Sequence, residues 1–242
     1  GDHRDLHSFP TRRSSDLYDL AQLLILVLAK VHRKKVVIST ESSAQDQKRM
    51  RLVELLKKAI FKVSDGFICF GSSTERYLSE LGVPSRKILS NKAAIIDDSY
   101  ISARFERTPK EASRPRRFIY VGRLSAEKNL ERLIRAFASL LCSWELYIVG
   151  DGPERPKLRT LILELNLDSC FIQDPCPWYE VPTKLAQADV LVLPSLSEPW
   201  GLVLNEAMHC GMPVIASKTC GAGLDVVHTD KNGVLIDPLD IK

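Results

Sequence analysis

Val190-Leu191-Val192-Leu193-Pro194-Ser195-Leu196-Ser197-Glu198-Pro199-Trp200-Gly201-Leu202-Val203-Leu204-Asn205-Glu206-Ala207-Met208 reads as a buried strand, a turn and a helix. The apolar run 190–193 has the length and composition of a strand covered on both faces, and Pro194-Ser195 ends it. Leu202, Glu206 and His209 recur at near-helical spacing, which puts Glu206 in a helix and Glu198 in the loop before it. Gly201 opens that helix without a Cβ, so a ligand can come close to the backbone. The N–H groups of Gly201, Leu202 and Val203 would then face outward at a helix N-terminus, where the dipole favours an anion. An anion seat between two carboxylates suits a nucleotide sugar, with phosphate on the amides, ribose diol on one acid and hexose hydroxyls on the other. Two acids at this spacing are by themselves usually just solvated side chains, so the surrounding sequence has to decide.

Outward from this stretch, strand and helix patterns alternate. Strands are expected at 118–122, 145–150, 170–173, 190–195, 213–217 and 233–237. Helices are expected at 129–141 and 156–165, then up to Ala188, from Gly201 and briefly after Ser217. Repeated strand–helix units with apolar strands predict a parallel, doubly wound α/β sheet, whose binding sites lie beyond the carboxyl ends of the strands. Upstream, 36–40 and 66–70 read as strands and 88–96 as an irregular one, with Ser73 or Thr74 placed to cap the helix that runs to Leu81. The mostly apolar run 20–31 is too short to span a bilayer and reads as a buried helix. A helix over 45–62 has Val53, Leu56, Ile60 and Val63 as its apolar face. It also carries Lys48, Arg49, Arg51, Lys57, Lys58 and Lys62 against the single acid Glu54, a face that could meet anionic lipid or simply water. The charged, aperiodic stretch 102–117 is the best linker, so the domains are read as 18–105 and 106–242.

With 242 residues, 45% hydrophobic and 26% charged, the chain has ordinary globular composition, and a net charge of +4 gives no case for nucleic acid. Its six cysteines form no CxxC pair and no zinc-like spacing with histidine, and most sit in apolar strands or helices. That usage reads as buried free thiols in a reducing, cytoplasmic setting. Residues 1–17, GDHRDLHSFPTRRSSDL, have no apolar period, and the string resembles, residue for residue, a translated sequencing-library adapter rather than native sequence.

Two further motifs stand at strand ends. Val121-Gly122-Arg123-Leu124-Ser125-Ala126-Glu127-Lys128-Asn129 offers Arg123 and Lys128 as a cationic pair where a diphosphate could be held. Val149-Gly150-Asp151-Gly152-Pro153 begins like a dinucleotide fingerprint but lacks the third glycine, so a tight turn is the better reading and a nicotinamide site is disfavoured.

Taken in order, these two motifs and Glu198-x7-Glu206 resemble the C-terminal domain of GT-B glycosyltransferases, and most closely the large retaining family four, the "glycosyl transferases group 1". The resemblance covers about 118–238. It implies two Rossmann-like domains, here with the N-terminal, acceptor-side domain incomplete and the C-terminal, donor-binding domain without its closing helices. It further implies transfer of a hexose from a UDP- or GDP-sugar to a glycan or lipid acceptor with retention of configuration. By the same resemblance Gly122, Arg123 and Lys128 hold the donor diphosphate and Glu206 the ribose, while Glu198 faces the sugar and the Gly201, Leu202 and Val203 amides contact phosphate or sugar. Catalytic weight falls on Glu198, Arg123 and Lys128. No metal or other cofactor is implied, and the donor phosphate itself is expected to take the acceptor proton. Many relatives have a Thr-x-His at the end of an N-terminal strand; here Ser39-Thr40-Glu41-Ser42 stands there, which makes Glu41 the candidate acceptor-side residue. The chain as written is expected to seat donor without turning it over, and its parent to act peripherally at the inner face of a membrane. The competing class is a non-catalytic module of the same fold that binds a sugar nucleotide or a partner.

Overall fold

The apolar runs become nine parallel strands in two separate sheets of a computed structural model that describes residues 20–41, 51–91, 94–105, 114–140 and 143–240. The chain divides into two units, Gly1–Ala93 and Ala94–Lys242. Residues 1–17, the first part of the expected helix (45–50), Cys142 and the middle of the expected linker lie outside the described residues. Among the described residues no helix is long and apolar enough to cross a membrane.

The first unit runs α1 (Leu20–Val31), β1 (Val37–Thr40), α2 (Arg51–Val63), β2 (Gly66–Cys69), α3 (Ser72–Glu80) and β3 (Ile88–Ser90), with sheet order β1-β2-β3. Its core is Ile60, Phe61, Phe67, Cys69, Leu78 and Val83, with Leu23, Leu26, Ile38, Leu81 and Ile88 against it. Several expectations change here. α2 buries Ile60 and Phe61, the latter edge-on to Phe67 at 5.2 Å, whereas Leu56 and Val63 are exposed, so the inward stripe is rotated from the expected one. α1 is not buried all round. Leu23 and Leu26 reach the core, while Leu24, Ile25, Val27, Leu28 and Val31 face outward, because this three-stranded unit offers the helix one face only. The N-cap of α3 is Gly71, and among the described residues it has no side-chain cap and the buried hydroxyls of Ser73 and Thr74 have no hydrogen-bond partner. The third strand stops at Ser90 rather than continuing to 96.

The second unit runs α4 (Asp98–Arg104), β4 (Arg117–Val121), α5 (Leu130–Ala138), β5 (Glu145–Val149), α6 (Arg155–Glu164), β6 (Cys170–Gln173), α7 (Val181–Ala186), β7 (Val190–Leu193), α8 (Leu202–His209), β8 (Val214–Ser217), α9 (Gly221–Val226) and β9 (Gly233–Ile236). The division falls before α4, earlier than the sequence boundary at 105/106. Ile101 is buried, α4 packs on α7 and α8, and the Tyr100 hydroxyl donates to the Tyr179 carbonyl at 3.0 Å. The start of the expected linker is therefore helix, capped by the Asp97 carboxylate, which accepts from the Tyr100 N–H at 2.9 Å.

The sheet order β6-β5-β4-β7-β8-β9 places β4 and β7 side by side, with later strands running away in both directions. This is a topological switch point, and the loops leaving β4 and β7 meet there, at the position of the crevice in which doubly wound sheets bind ligands. Ile119, Tyr120, Leu146, Ile148, Leu191 and Leu193 are almost fully buried, as expected for strands covered on both faces.

Candidate functional site

All the residues singled out after the resemblance, except Glu41, gather at the carboxyl ends of β4 and β7. Gly122 and Arg123 leave β4, and Lys128 ends a short 3-10 turn at 126–128. Glu198 lies in the loop after β7, and Gly201 (φ 92°, ψ 64°) is the N-cap of α8, which carries Leu202, Val203 and Glu206. Glu41 follows β1 in the first unit and is exposed.

The closest contact in the crevice joins the two loops. Lys128 Nζ donates to Glu198 Oε2 at 2.7 Å, with side chains only 9% and 14% exposed. Ser195, fully buried at the end of β7, donates its hydroxyl to the same carboxylate oxygen at 3.3 Å. Asn129 holds the Lys128 backbone in place from a left-handed conformation (φ 59°), its amide donating to the carbonyls of Pro194 at 3.1 Å and Pro238 at 2.7 Å. Leu196 N–H donates to the Glu127 carbonyl at 2.8 Å, a second tie between the loops. Arg123 is not drawn into the pair. Its guanidinium is 57% exposed and donates to Glu127 Oε1 at 3.3 Å. Burial pushes the Glu127 carboxyl up, but the Ser125 hydroxyl at 2.6 Å, its own backbone N–H and the Lys128 and Arg123 charges outweigh this and leave it below its usual range.

Two supports escaped the sequence reading. Tyr120 is fully buried and donates its hydroxyl to the Arg123 carbonyl at 2.8 Å, fixing the turn that presents the guanidinium. Cys220 packs under Gly201: a Cβ there would come within 3.2 Å of Glu198 Cγ, 3.1 Å of Cys220 Sγ and 2.9 Å of Leu193, so only glycine fits this turn. The Cys220 thiol donates to the Trp200 carbonyl at 3.0 Å, and burial pushes it up to about 12, so it is a structural thiol. Val-Gly-Asp-Gly-Pro proves to be a clamp for the Arg123 loop. Leu124 N–H donates to the Asp151 carbonyl at 2.8 Å and Glu154 N–H to the Leu124 carbonyl at 2.9 Å.

At α8 the first N–H groups, from Gly201 to Val203, find no acceptor among the described residues, which leaves a donor-rich helix end beside a buried cation. One turn on, Glu206 is largely buried with no hydrogen-bond or ion-pair partner among the described residues, and desolvation raises its carboxyl from 4.5 to about 7. A buried carboxylate with open acceptor positions is suited to a diol, which supplies two donors without adding charge.

A second constellation joins α4 to α8. Ser102 Oγ lies 2.8 Å from His209 Nε2, and His209 Nδ1 lies 3.8 Å from Asp98 Oδ1. The resemblance to a nucleophilic triad is superficial. Asp98 is 71% exposed and too far for a hydrogen bond, and Ser102 sits inside α4, where the backbone N–H groups are committed to the helix and cannot form an oxyanion hole. The contact ties α4 to α8.

The family model described as "Glycosyl transferases group 1" matches residues 103–242, more than half of the chain. Among curated relatives, the lipopolysaccharide 1,6-galactosyltransferase of Salmonella typhimurium is 33% identical over 135 residues, covering 54% of this chain and 38% of that protein. The enzyme of the same name from Escherichia coli is 32% identical over 131 residues, covering 51% and 36%. The chain thus spans little more than a third of these relatives' length. Among solved structures, the apo form of the lipopolysaccharide outer core galactosyltransferase WaaB aligns with a TM-score of 0.70 and 25% identity over 91% of this chain and 60% of that one. Anabaena HepE in complex with UDP aligns with a TM-score of 0.76 at 20% identity, over 91% and 63%, and speaks to the fold alone. Three motifs in order at the carboxyl ends of β4, β5 and β7, an α/β architecture shared with GT-B proteins and the family match agree: the chain belongs to the glycosyl transferases group 1 family.

Proposed function

We propose that the second unit seats a nucleoside diphosphate sugar, and that the parent protein transfers its hexose to a glycan or lipid acceptor with retention of configuration. The observation that carries this is the buried Lys128 cation at the β4/β7 switch point, held by Glu198 just ahead of a helix whose first N–H groups have no acceptor among the described residues. Lys128, the exposed Arg123 and the Gly201, Leu202 and Val203 amides bind the diphosphate, with Gly122 leaving room beside them. Glu206 accepts from the ribose hydroxyls and Glu198 from the hexose. The donor class is a UDP- or GDP-sugar, and a saccharide acceptor is favoured by the lipopolysaccharide relatives. As the diphosphate leaves, its growing charge meets donors already fixed in place, which is how preorganised electrostatics lowers a barrier. The leaving phosphate oxygen takes the acceptor proton on the same face, so no side-chain base is required. A cytoplasmic setting, peripheral to a membrane, fits this reading.

Titration calorimetry with UDP and GDP tests the seat. Arg123→Ala removes an exposed charge without disturbing the core and should weaken binding about tenfold or more, as expected for a charge-assisted hydrogen bond of roughly 1.5–3 kcal/mol. Lys128→Ala should do at least as much. Unchanged affinity in both variants, with the fold verified by melting, would refute the clamp.

A further inference from the structure

The Lys128–Glu198 pair presents a conflict that the donor reading leaves open. The cation assigned to the diphosphate is already engaged at 2.7 Å by a carboxylate, and both groups are nearly out of water. The ammonium has two further N–H groups to give, but a diphosphate oxygen that takes one sets two anions on a single cation, and their repulsion loosens that contact. Once loosened, Glu198 is a buried charge that keeps only the Ser195 hydroxyl at 3.3 Å, and an uncompensated buried charge is strongly unfavourable. Glu198 cannot readily swing clear, because its Cγ is packed on Gly201 and its main chain is fixed. Gly221 N–H donates to the Glu198 carbonyl at 3.0 Å, and the residue bridges Cys220.

Resting on the donor reading above, we infer that Glu198 exchanges partners during the cycle and thereby discriminates the intact donor from the spent diphosphate. With the intact donor, the diphosphate takes Lys128 while hexose hydroxyls donate to Glu198, so every buried charge stays satisfied. With the diphosphate alone, Lys128 is satisfied but Glu198 is not. The carboxylate competes for the ammonium and drives the product off. Glu198 is thus a specificity-determining residue, acting on product release as well as on the sugar. No bond to Glu198 is made or broken, and no proton moves.

The test compares UDP and UDP-glucose by calorimetry at pH 8, above the raised carboxyl of Glu206, on the chain as it stands. Glu198→Gln keeps the shape and removes the charge. It should bind UDP at least threefold tighter than wild type while gaining nothing for UDP-glucose, and its melting temperature should fall because Lys128 loses its counter-charge. Tighter product binding in a less stable protein is a combination that a purely structural ion pair would not give. Should Glu198→Gln fail to fold, Glu198→Asp keeps the charge but withdraws it by one methylene, and it should also bind UDP more tightly than wild type. UDP affinity that is unchanged or weaker in the variant that folds overturns the exchange, and so do equal gains for UDP and UDP-glucose. Arg123→Ala separates the two levels. If it leaves UDP binding intact, or if wild type binds neither nucleotide, the donor seat itself is wrong and the exchange falls with it. If it weakens UDP binding while Glu198→Gln does not strengthen it, only the exchange fails.

Discussion

Glu206 carries the clearest electrostatic signature in the second unit. Burial without a partner holds its carboxyl at about 7, against 4.5 in an unfolded chain. The folded state therefore keeps a proton that the unfolded state gives up, so the stabilisation is complete below pH 4.5 and is lost as pH rises through 7. The gap corresponds to roughly 3 kcal/mol at about 1.4 kcal/mol per pH unit. Glu206→Gln should flatten this part of the stability profile, as read from chemical denaturation at pH 5 and pH 8. A ribose diol is best held by the ionised carboxylate, so UDP affinity in wild type should also climb through pH 7, and the glutamine variant should lose that climb. An unchanged stability slope in Glu206→Gln would contradict the burial account. In the sequence, Glu206 was legible as a helical acid one turn past a glycine; its isolation was not, because burial depends on what α7 and the loop after β6 place over it. Tyr120 was wholly illegible. Its partner is a main-chain carbonyl three residues away, and no residue pattern records such a contact.

At the scale of elements, the parallel sheet follows from a simple physical filter: apolar runs of four to six residues with helices between them admit little else. The register and the switch point required the structure, since periodicity says that strands are covered but not which neighbours they take. In the first unit the same filter placed β1 and β2 but gave α2 the wrong inward stripe. Leu56, Ile60 and Val63 keep a helical spacing, yet of these three only Ile60 is buried, and Phe61 beside it packs edge-on to Phe67. The turn at 150–153 shows how a weak motif can be structural. Gly150 has φ 151°, and a Cβ on it would lie 1.9 Å from the Gly122 carbonyl oxygen, so the β5 loop and the Arg123 loop touch backbone to backbone. Gly150→Ala should cost more than the roughly 1 kcal/mol of an ordinary loop substitution, with both a lowered melting temperature and weakened UDP binding because the two loops are forced apart. A variant that melts like wild type would show that the loops are not in contact as described.

Across the whole molecule, the residues assigned to the donor lie in one unit. Arg123, Lys128, Glu198 and Glu206 come from two loops and one helix around a single crevice, so the seat needs only the second unit's own sheet to be assembled. The sequence made this division visible through its motifs, which cluster beyond residue 117. The sequence boundary at 105/106 and the division at 93/94 differ by α4, which is short and charged like a linker but packs on α7 and α8. The most direct test of the account is a crystal structure of this chain with UDP. The account predicts the diphosphate at the N-terminus of α8 within hydrogen-bond distance of Lys128 and Arg123, and the ribose hydroxyls on Glu206. UDP bound away from the β4/β7 crevice, or a diphosphate that leaves Lys128 and the Gly201–Val203 amides untouched, would contradict it.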